Sequence, residues 1–207
     1  MQIECCAASR PQQGRTQNED AFLIHRGERF FAALCDGAGN AQLAAKKVLA
    51  MFEKLASEAS AEQISEAATW ERWAKVLDSS LLGGAQSTFV SVAVVEQLAI
   101  GVCVGDSRAY VVDREGRCRI PTEDAAKQRL GSGAITPFPL RLSLKPRDVL
   151  LLMSDGAWTP LNLALLQKTV MTAALRHFTE IPGAILDAAG RTGRADDMTA
   201  VALRIVP

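Results

Sequence analysis

Carboxylates stand at several points in this sequence where a hydrophobic run stops. The clearest run is Phe30-Phe31-Ala32-Ala33-Leu34-Cys35, which ends on Asp36-Gly37-Ala38-Gly39-Asn40. An apolar run this continuous reads as a strand buried on both faces, and such a strand delivers Asp36 at its end. Gly37 permits a sharp turn, or a close approach of its carbonyl to a ligand. Asn40 is placed to cap the helix that begins at Ala41. The pattern recurs where Val149-Leu150-Leu151-Leu152-Met153-Ser154 meets Asp155-Gly156-Ala157-Trp158. Glu19-Asp20 precedes the strand-like Ala21–His25, and Asp196-Asp197 precedes a closing strand from Thr199 to Val206. Asp106 lies between two further strands, Leu98–Val104 and Arg108–Val112. Any one of these acids alone would be an ordinary turn residue.

As a group they imply more. Carboxylates gathered where strand ends meet raise one another's pKa and destabilise the fold unless positive charge sits between them. Hard divalent cations such as Mg²⁺ or Mn²⁺ meet that need, taking carboxylate, carbonyl and water oxygens. Two such ions about 3.5–4 Å apart can bridge a water, lower its pKa and direct it at phosphorus. The same charge offsets the negative charge of the transition state. The sequence has no G-x-S-x-G elbow, no Cys-x5-Arg loop and no P-loop to suggest another hydrolytic machinery.

The elements that must position these acids follow from periodicity. Arg26-Gly27-Glu28 reads as a hairpin turn between Ala21–His25 and Arg29–Cys35. Helical spacing predicts one helix from Asn40 to about Glu58 and a second from about Ala61 to Leu82. The second carries Ile64, Ala67, Ala68, Trp70, Trp73, Val76 and Leu77 on its inner face. Its tryptophans are expected to be core rather than cofactor contacts. The β-branched stretch Ser87–Val95 predicts a strand, and Arg117–Ile120 a short one. Glu123–Leu142, broken by Gly131, Gly133, Pro137 and Pro139, predicts a loop with a short helix around Ala125–Leu130. Leu161–His177 and Pro182–Ala189 predict helices. Strands in runs and helices in pairs, without regular alternation, predict stacked antiparallel sheets with helices outside.

Composition narrows the rest. At 207 residues, with 48% hydrophobic and 22% charged content, the chain can bury one substantial core. Its 23 basic residues equal its 23 acidic ones, so no basic footprint for nucleic acid or an anionic membrane is present. The five cysteines are odd in number and lack CxxC spacing, which predicts free thiols and a reducing compartment. His25 and His177 are too far apart in the chain to suggest a zinc site. No signal-like N-terminus and no apolar stretch near the ~20 residues of a membrane span are visible.

Five segments resemble the metal-dependent Ser/Thr protein phosphatases of type 2C, in that family's order and over nearly the whole chain. They are Arg15-Thr16-Gln17-Asn18-Glu19-Asp20-Ala21, Asp36-Gly37-Ala38-Gly39, Val104-Gly105-Asp106-Ser107-Arg108-Ala109-Tyr110, Leu150–Trp158 and Asp196-Asp197-Met198-Thr199. The resemblance implies an α+β fold, a four-layer α-β-β-α sandwich forming one catalytic domain over residues 1–207. It implies hydrolysis of phosphoserine and phosphothreonine in proteins with two Mn²⁺ or Mg²⁺ ions, and a third in some cases. Asp36 would bridge two metals, with Asp155 and Asp196 completing one site and Glu19 and the Gly37 carbonyl the other. Asp20 would orient the attacking water, Arg15 would hold the substrate phosphate, and Asp106 matches the third-metal aspartate. Asp197 stands where the family often has Asn, and a structural role is expected of it.

Three departures qualify this picture. Ala38 stands where some members have a His thought to protonate the leaving group, so that proton must come from elsewhere. Asn40 replaces a frequent Gly. Glu123–Leu142 is much shorter than the flap many relatives carry, which should expose the metals and weaken substrate selection. A cytoplasmic location and a cognate Ser/Thr kinase are implied by resemblance alone. A non-catalytic phosphoprotein-binding scaffold on the same fold, and a phosphatase for a regulatory phosphoserine protein in a partner-switching pathway, remain as alternatives.

Overall fold

The computed structural model of the protein describes residues 2–38, 42–192 and 196–206. The expected cap Asn40 lies outside the described residues. In chain order come β1 (Gln2–Arg10), β2 (Ala21–Arg26), β3 (Phe30–Cys35) and the short β4 (Gly37–Ala38). Three helices follow: α1 (Gln42–Glu58), α2 (Ala61–Ser65) and α3 (Ala67–Leu81). Then come β5 (Gln86–Ser87), β6 (Phe89–Val95), β7 (Leu98–Val104), β8 (Arg108–Val112), β9 (Cys118–Arg119), β10 (Phe138–Ser143) and β11 (Val149–Met153). The chain closes with α4 (Asp155–Trp158), α5 (Leu163–Arg176), α6 (Ile181–Gly190) and β12 (Met198–Val206).

Among the described residues the strands form two five-stranded antiparallel sheets, ordered β1-β12-β11-β8-β9 and β10-β7-β6-β3-β2, with β4-β5 as a separate ribbon. The continuous apolar runs are explained by burial on both faces. Along β3, Phe30, Ala32 and Leu34 point into the space between the sheets, where they meet Leu150, Leu152, Val201 and Leu203. Phe31, Ala33 and Cys35 point the other way, against the layer of α1 and α3. Strand β11 divides likewise: Leu150 and Leu152 face the other sheet, whereas Val149, Leu151 and Met153 face α5 and α6. Three apolar interfaces therefore separate four layers, helices–sheet–sheet–helices, as the strand pattern predicts. Each fully buried Leu or Phe contributes about 1.5–3 kcal/mol. In the outer layer Phe52 makes edge contacts with Phe31, Phe89 and Trp73 at 5.6, 5.1 and 6.2 Å, so the aromatic stripe is core.

Two expectations need correction. The single helix read over 61–82 is two. Ser60 closes a capping box with Gln63 that starts α2, and Glu66 is extended, with φ −94° and ψ 123°, before α3 begins. The helical phase restarts at Ala67, so Ala67, Ala68 and Val76 are exposed, while Thr69 and Asp78 are buried beside Trp70, Trp73 and Leu77. The second correction concerns Glu123–Leu142, which has no helix around Ala125–Leu130 and ends in a strand. Leu140 and Leu142 alternate inward along β10, and Pro139 is tolerated because β10 is an edge strand. The five cysteines are free thiols. No helix among the described residues is long and apolar enough to cross a membrane.

Candidate active site

Register decides where the acids meet. Ala21 of β2 pairs with Cys35 of β3, so Asp20 and Asp36 emerge at the same end of one sheet. Leu34 pairs with Val90, which brings Thr88 beside Asp36. There the Asp36 N–H donates to Thr88 Oγ1, and the Thr88 N–H donates back to the Asp36 carbonyl, both at 2.9 Å. Strand β7 ends at this rim too, with Val104 opposite Phe89. Gly105-Asp106-Ser107 then crosses to the second sheet, where Arg108 of β8 lies opposite Met153 of β11. Asp106 and Asp155 are thus at one edge. Met153 pairs with Ala200, so Asp196-Asp197 enters β12 at the same rim. Arg10 pairs with Met198, and the loop after it carries Glu19 and Asp20 back to the first sheet.

Local contacts fix the side chains. Asp20 is buried, and its Oδ2 accepts a hydrogen bond from the Ser154 hydroxyl at 2.7 Å. Ser154 Oγ in turn accepts from the Thr199 N–H at 2.9 Å. Asp20 Oδ1 is buried and accepts no hydrogen bond. Burial, with smaller contributions from Asp197 and Asp155, pushes the Asp20 carboxyl up to about 7, against the bonds from Ser154 and Thr199. Asp36 is pushed up to about 8, first by burial and then by Asp20, Asp155 and Asp106, while Arg129 pulls it down. Asp36 therefore lies within electrostatic reach of Asp20, Asp155 and Asp106.

Gly156 ties Asp155 to Asp196. A β-carbon at Gly156 would lie 2.0 Å from the Asp197 carbonyl oxygen and 3.1 Å from Asp196 Cβ, so only glycine lets the two acidic turns touch. Asp197 is a clamp, as expected of a structural residue. Its Oδ1 accepts from the Gln12 N–H and its Oδ2 from the Glu19 N–H, both at 2.6 Å. The Glu19 carbonyl accepts from the Gly37 N–H at 3.2 Å, which ties the Glu19 loop to the Asp36 turn. Ala38 pairs with Gln86 in the β4-β5 ribbon. Arg15 is exposed on the loop, and its side chain makes no ion pair or hydrogen bond with another described residue. Packing does not draw it into the acidic cluster.

The residues fit a divalent cation by donor chemistry: the set is all oxygen, and the buried Oδ1 atoms of Asp20 and Asp106 accept no hydrogen bond. Among the described residues, no three His, Cys, Asp or Glu side chains close into a preformed metal cage. The acids are neighbours around a rim, not a finished coordination sphere. Sequence reasoning missed several residues here. Ser154 and Thr199 were visible only as parts of motifs, and nothing local marked Thr88 or Arg129. Arg129 Nη2 lies 3.7 Å from Asp106 Oδ1. Asp106 is also held through its backbone, its carbonyl accepting from Trp158 Nε1–H at 2.9 Å, while the Arg108 guanidinium stacks 3.8 Å over the Trp158 ring.

Comparison with known proteins agrees with this fold. A family model for stage II sporulation protein E (SpoIIE) matches residues 26–206, which leaves Glu19 and Asp20 outside the matched span. Similar solved structures include the catalytic domain of the serine threonine protein phosphatase PstP in complex with 2 manganese ions. It is 21% identical over 99% of each chain, with a TM-score of 0.84. The serine/threonine phosphatase Stp1 from Staphylococcus aureus is 20% identical, covering 100% of this chain and 96% of its own, at a TM-score of 0.87. The PPM Ser-Thr phosphatase MsPP from Mycobacterium smegmatis, in complex with cacodylate, is 20% identical over 98% of each chain at 0.77. At such identities the likeness is one of fold. No curated protein matches the sequence at a significant level.

Proposed function

The chain belongs to the stage II sporulation protein E (SpoIIE) family, and from that premise we propose that it is a metal-dependent serine/threonine protein phosphatase, one catalytic domain over residues 1–207. The observation that carries this reading is the register that brings Asp20, Asp36, Asp106, Asp155 and Asp196 to one rim. Asp36, Asp155 and Asp196 with Glu19 and the Gly37 carbonyl would hold two Mn²⁺ or Mg²⁺ ions, and Asp106 a third. Such ions, when bound, activate water and offset charge on the transferring phosphoryl group.

The chain's own residues supply the rest. Asp20 orients the attacking water through Oδ1, since its other oxygen is engaged by Ser154. Ser154 and Thr199 fix Asp20 in that orientation. Arg15, on its exposed loop, is free to reach a phosphate brought by a protein substrate, where its planar fork suits two phosphate oxygens. Ala38 offers no proton to the departing seryl or threonyl oxygen, so that proton comes from water or another group. A cytoplasmic setting and a cognate Ser/Thr kinase complete the reading. A phosphatase for a regulatory phosphoserine protein in a partner-switching pathway would use the same site. The scaffold alternative is disfavoured because every acid of the motif is retained.

The test is hydrolysis of an aryl phosphate and of a phosphoserine peptide with added Mn²⁺. Turnover should rise with metal and vanish in Asp36→Asn. Equal rates in the two proteins would reject the assignment, and calorimetry without divalent-metal binding would favour the scaffold.

A further inference from the structure

The segment between β9 and β10 brings one cation to the acidic rim. Leu130 is fully buried and exchanges both backbone hydrogen bonds with Ser87, at 3.2 and 2.8 Å. Ser87 Oγ donates to the Asp36 carbonyl at 3.1 Å, so the anchor of this loop sits directly on the Asp36 turn. On the other side, Asp78 of α3 accepts from the Gly131 and Gly133 N–H groups at 2.7 and 3.3 Å. Gly131 has φ +91° and adapts the backbone to that grip. Arg129 is therefore one residue from a doubly fastened point. Its side chain is about three-quarters buried, and Nη2 lies 3.7 Å from Asp106 Oδ1. That oxygen is buried and accepts no hydrogen bond, the separation being too long for one. Asp106 is also held through its backbone carbonyl, which accepts from Trp158 Nε1–H.

We propose that Arg129 is an internal competitor for the divalent cation at Asp106, a fixed positive charge that neutralises this acid without metal and must be displaced for a cation to bind there. The inference rests on the proposed function, because it presumes that the rim binds metal. It makes Arg129 a positioning residue that sets the affinity of the Asp106 site below that of the rest of the rim. An ion pair at this partial exposure is modest, so releasing Asp106 should tighten cation binding by about three- to fivefold.

The experiment is calorimetric titration of the metal-stripped protein with Mn²⁺. The wild type should show tighter binding plus a weaker phase that disappears in Asp106→Asn. Arg129→Gln should tighten the weaker phase about three- to fivefold, well beyond any change in the tighter binding. In the Asp106→Asn background, where no weaker phase remains, that three- to fivefold tightening should be absent. Loss of a merely structural arginine would weaken metal binding, so tightening is the diagnostic direction. A weaker phase that is unaltered or weakened in Arg129→Gln, or tightening that persists with Asp106→Asn, overturns the inference while leaving the proposed function standing. A wild type that binds no divalent cation removes both. Should Arg129→Gln not fold, Arg129→Lys carries the test: it draws the charge back from Asp106 and should tighten the same phase by a smaller factor.

Discussion

Replacing Gly156 by alanine puts the packing of the rim under direct strain. The new β-carbon would fall 2.0 Å from the Asp197 carbonyl oxygen, whereas real Cβ contacts essentially never come under 3.0 Å, so at least an ångström of movement is needed. The obstructing atom is backbone and cannot swing aside. Moving it disturbs a carboxylate that accepts the Gln12 and Glu19 N–H groups at 2.6 Å each. Overpacking of this kind costs about 1–3 kcal/mol, and weakening charge-assisted hydrogen bonds adds about 1.5–3 kcal/mol. The sum is about 2.5–6 kcal/mol, which lowers the melting temperature of a domain this size by roughly 5–25 °C. The loss should appear in urea titrations as a shifted midpoint with unchanged slope. Mn²⁺ affinity should fall as well, because Asp155 and Asp196 flank the contact. Gly183→Ala is the control. It lies within α6 with nothing inside 4 Å of the added carbon, so it should leave stability unchanged or raise it by about 0.5–1 kcal/mol. If Gly156→Ala stayed within 0.5 kcal/mol of wild type, the two acidic turns would not be in contact, and the geometry argued for the rim would be wrong.

The remaining predictions concern charge. Asp20 and Asp36 have folded-state pKa values of about 7 and about 8, above the ~3.9 of an unfolded aspartate. Between those limits the native state holds more protons, so metal-free stability is greatest at low pH and falls as pH rises through about 7 and about 8. Chelated protein should therefore melt lower at pH 8.5 than at pH 5, with Mn²⁺ restoring more stability at the higher pH; a flat profile would contradict the burial of these acids. Asp197→Ala removes the acceptor of two backbone N–H groups and should cost about 2–4 kcal/mol. Amide exchange should quicken at Gln12 and Glu19 specifically, and unchanged protection there would show that the clamp is not structural.

The amino-acid sequence by itself determines the strands that carry the acids. An apolar run buried on both faces has no polar alternation to hide, so β3 and β11 are legible, as are the carboxylates at which they stop. It also determines the layered class, because runs of strands and paired helices leave few other ways to bury their faces. Where local cues compete, reading falters: a capping box at Ser60 and an extended Glu66 reset the phase of α3, and an edge position rescues Pro139 in β10. Only the tertiary structure decides that the strand ends form a single rim, since that depends on registers joining residues far apart in sequence. The bond from Ser154 to Asp20 spans 134 positions and the clamp of Asp197 on Gln12 spans 185. Arg129 beside Asp106, and the glycine that lets Asp155 touch Asp196, have the same origin. Hydrogen bonds and charges act through space, and no periodicity along the chain records which distant groups the packing will make neighbours.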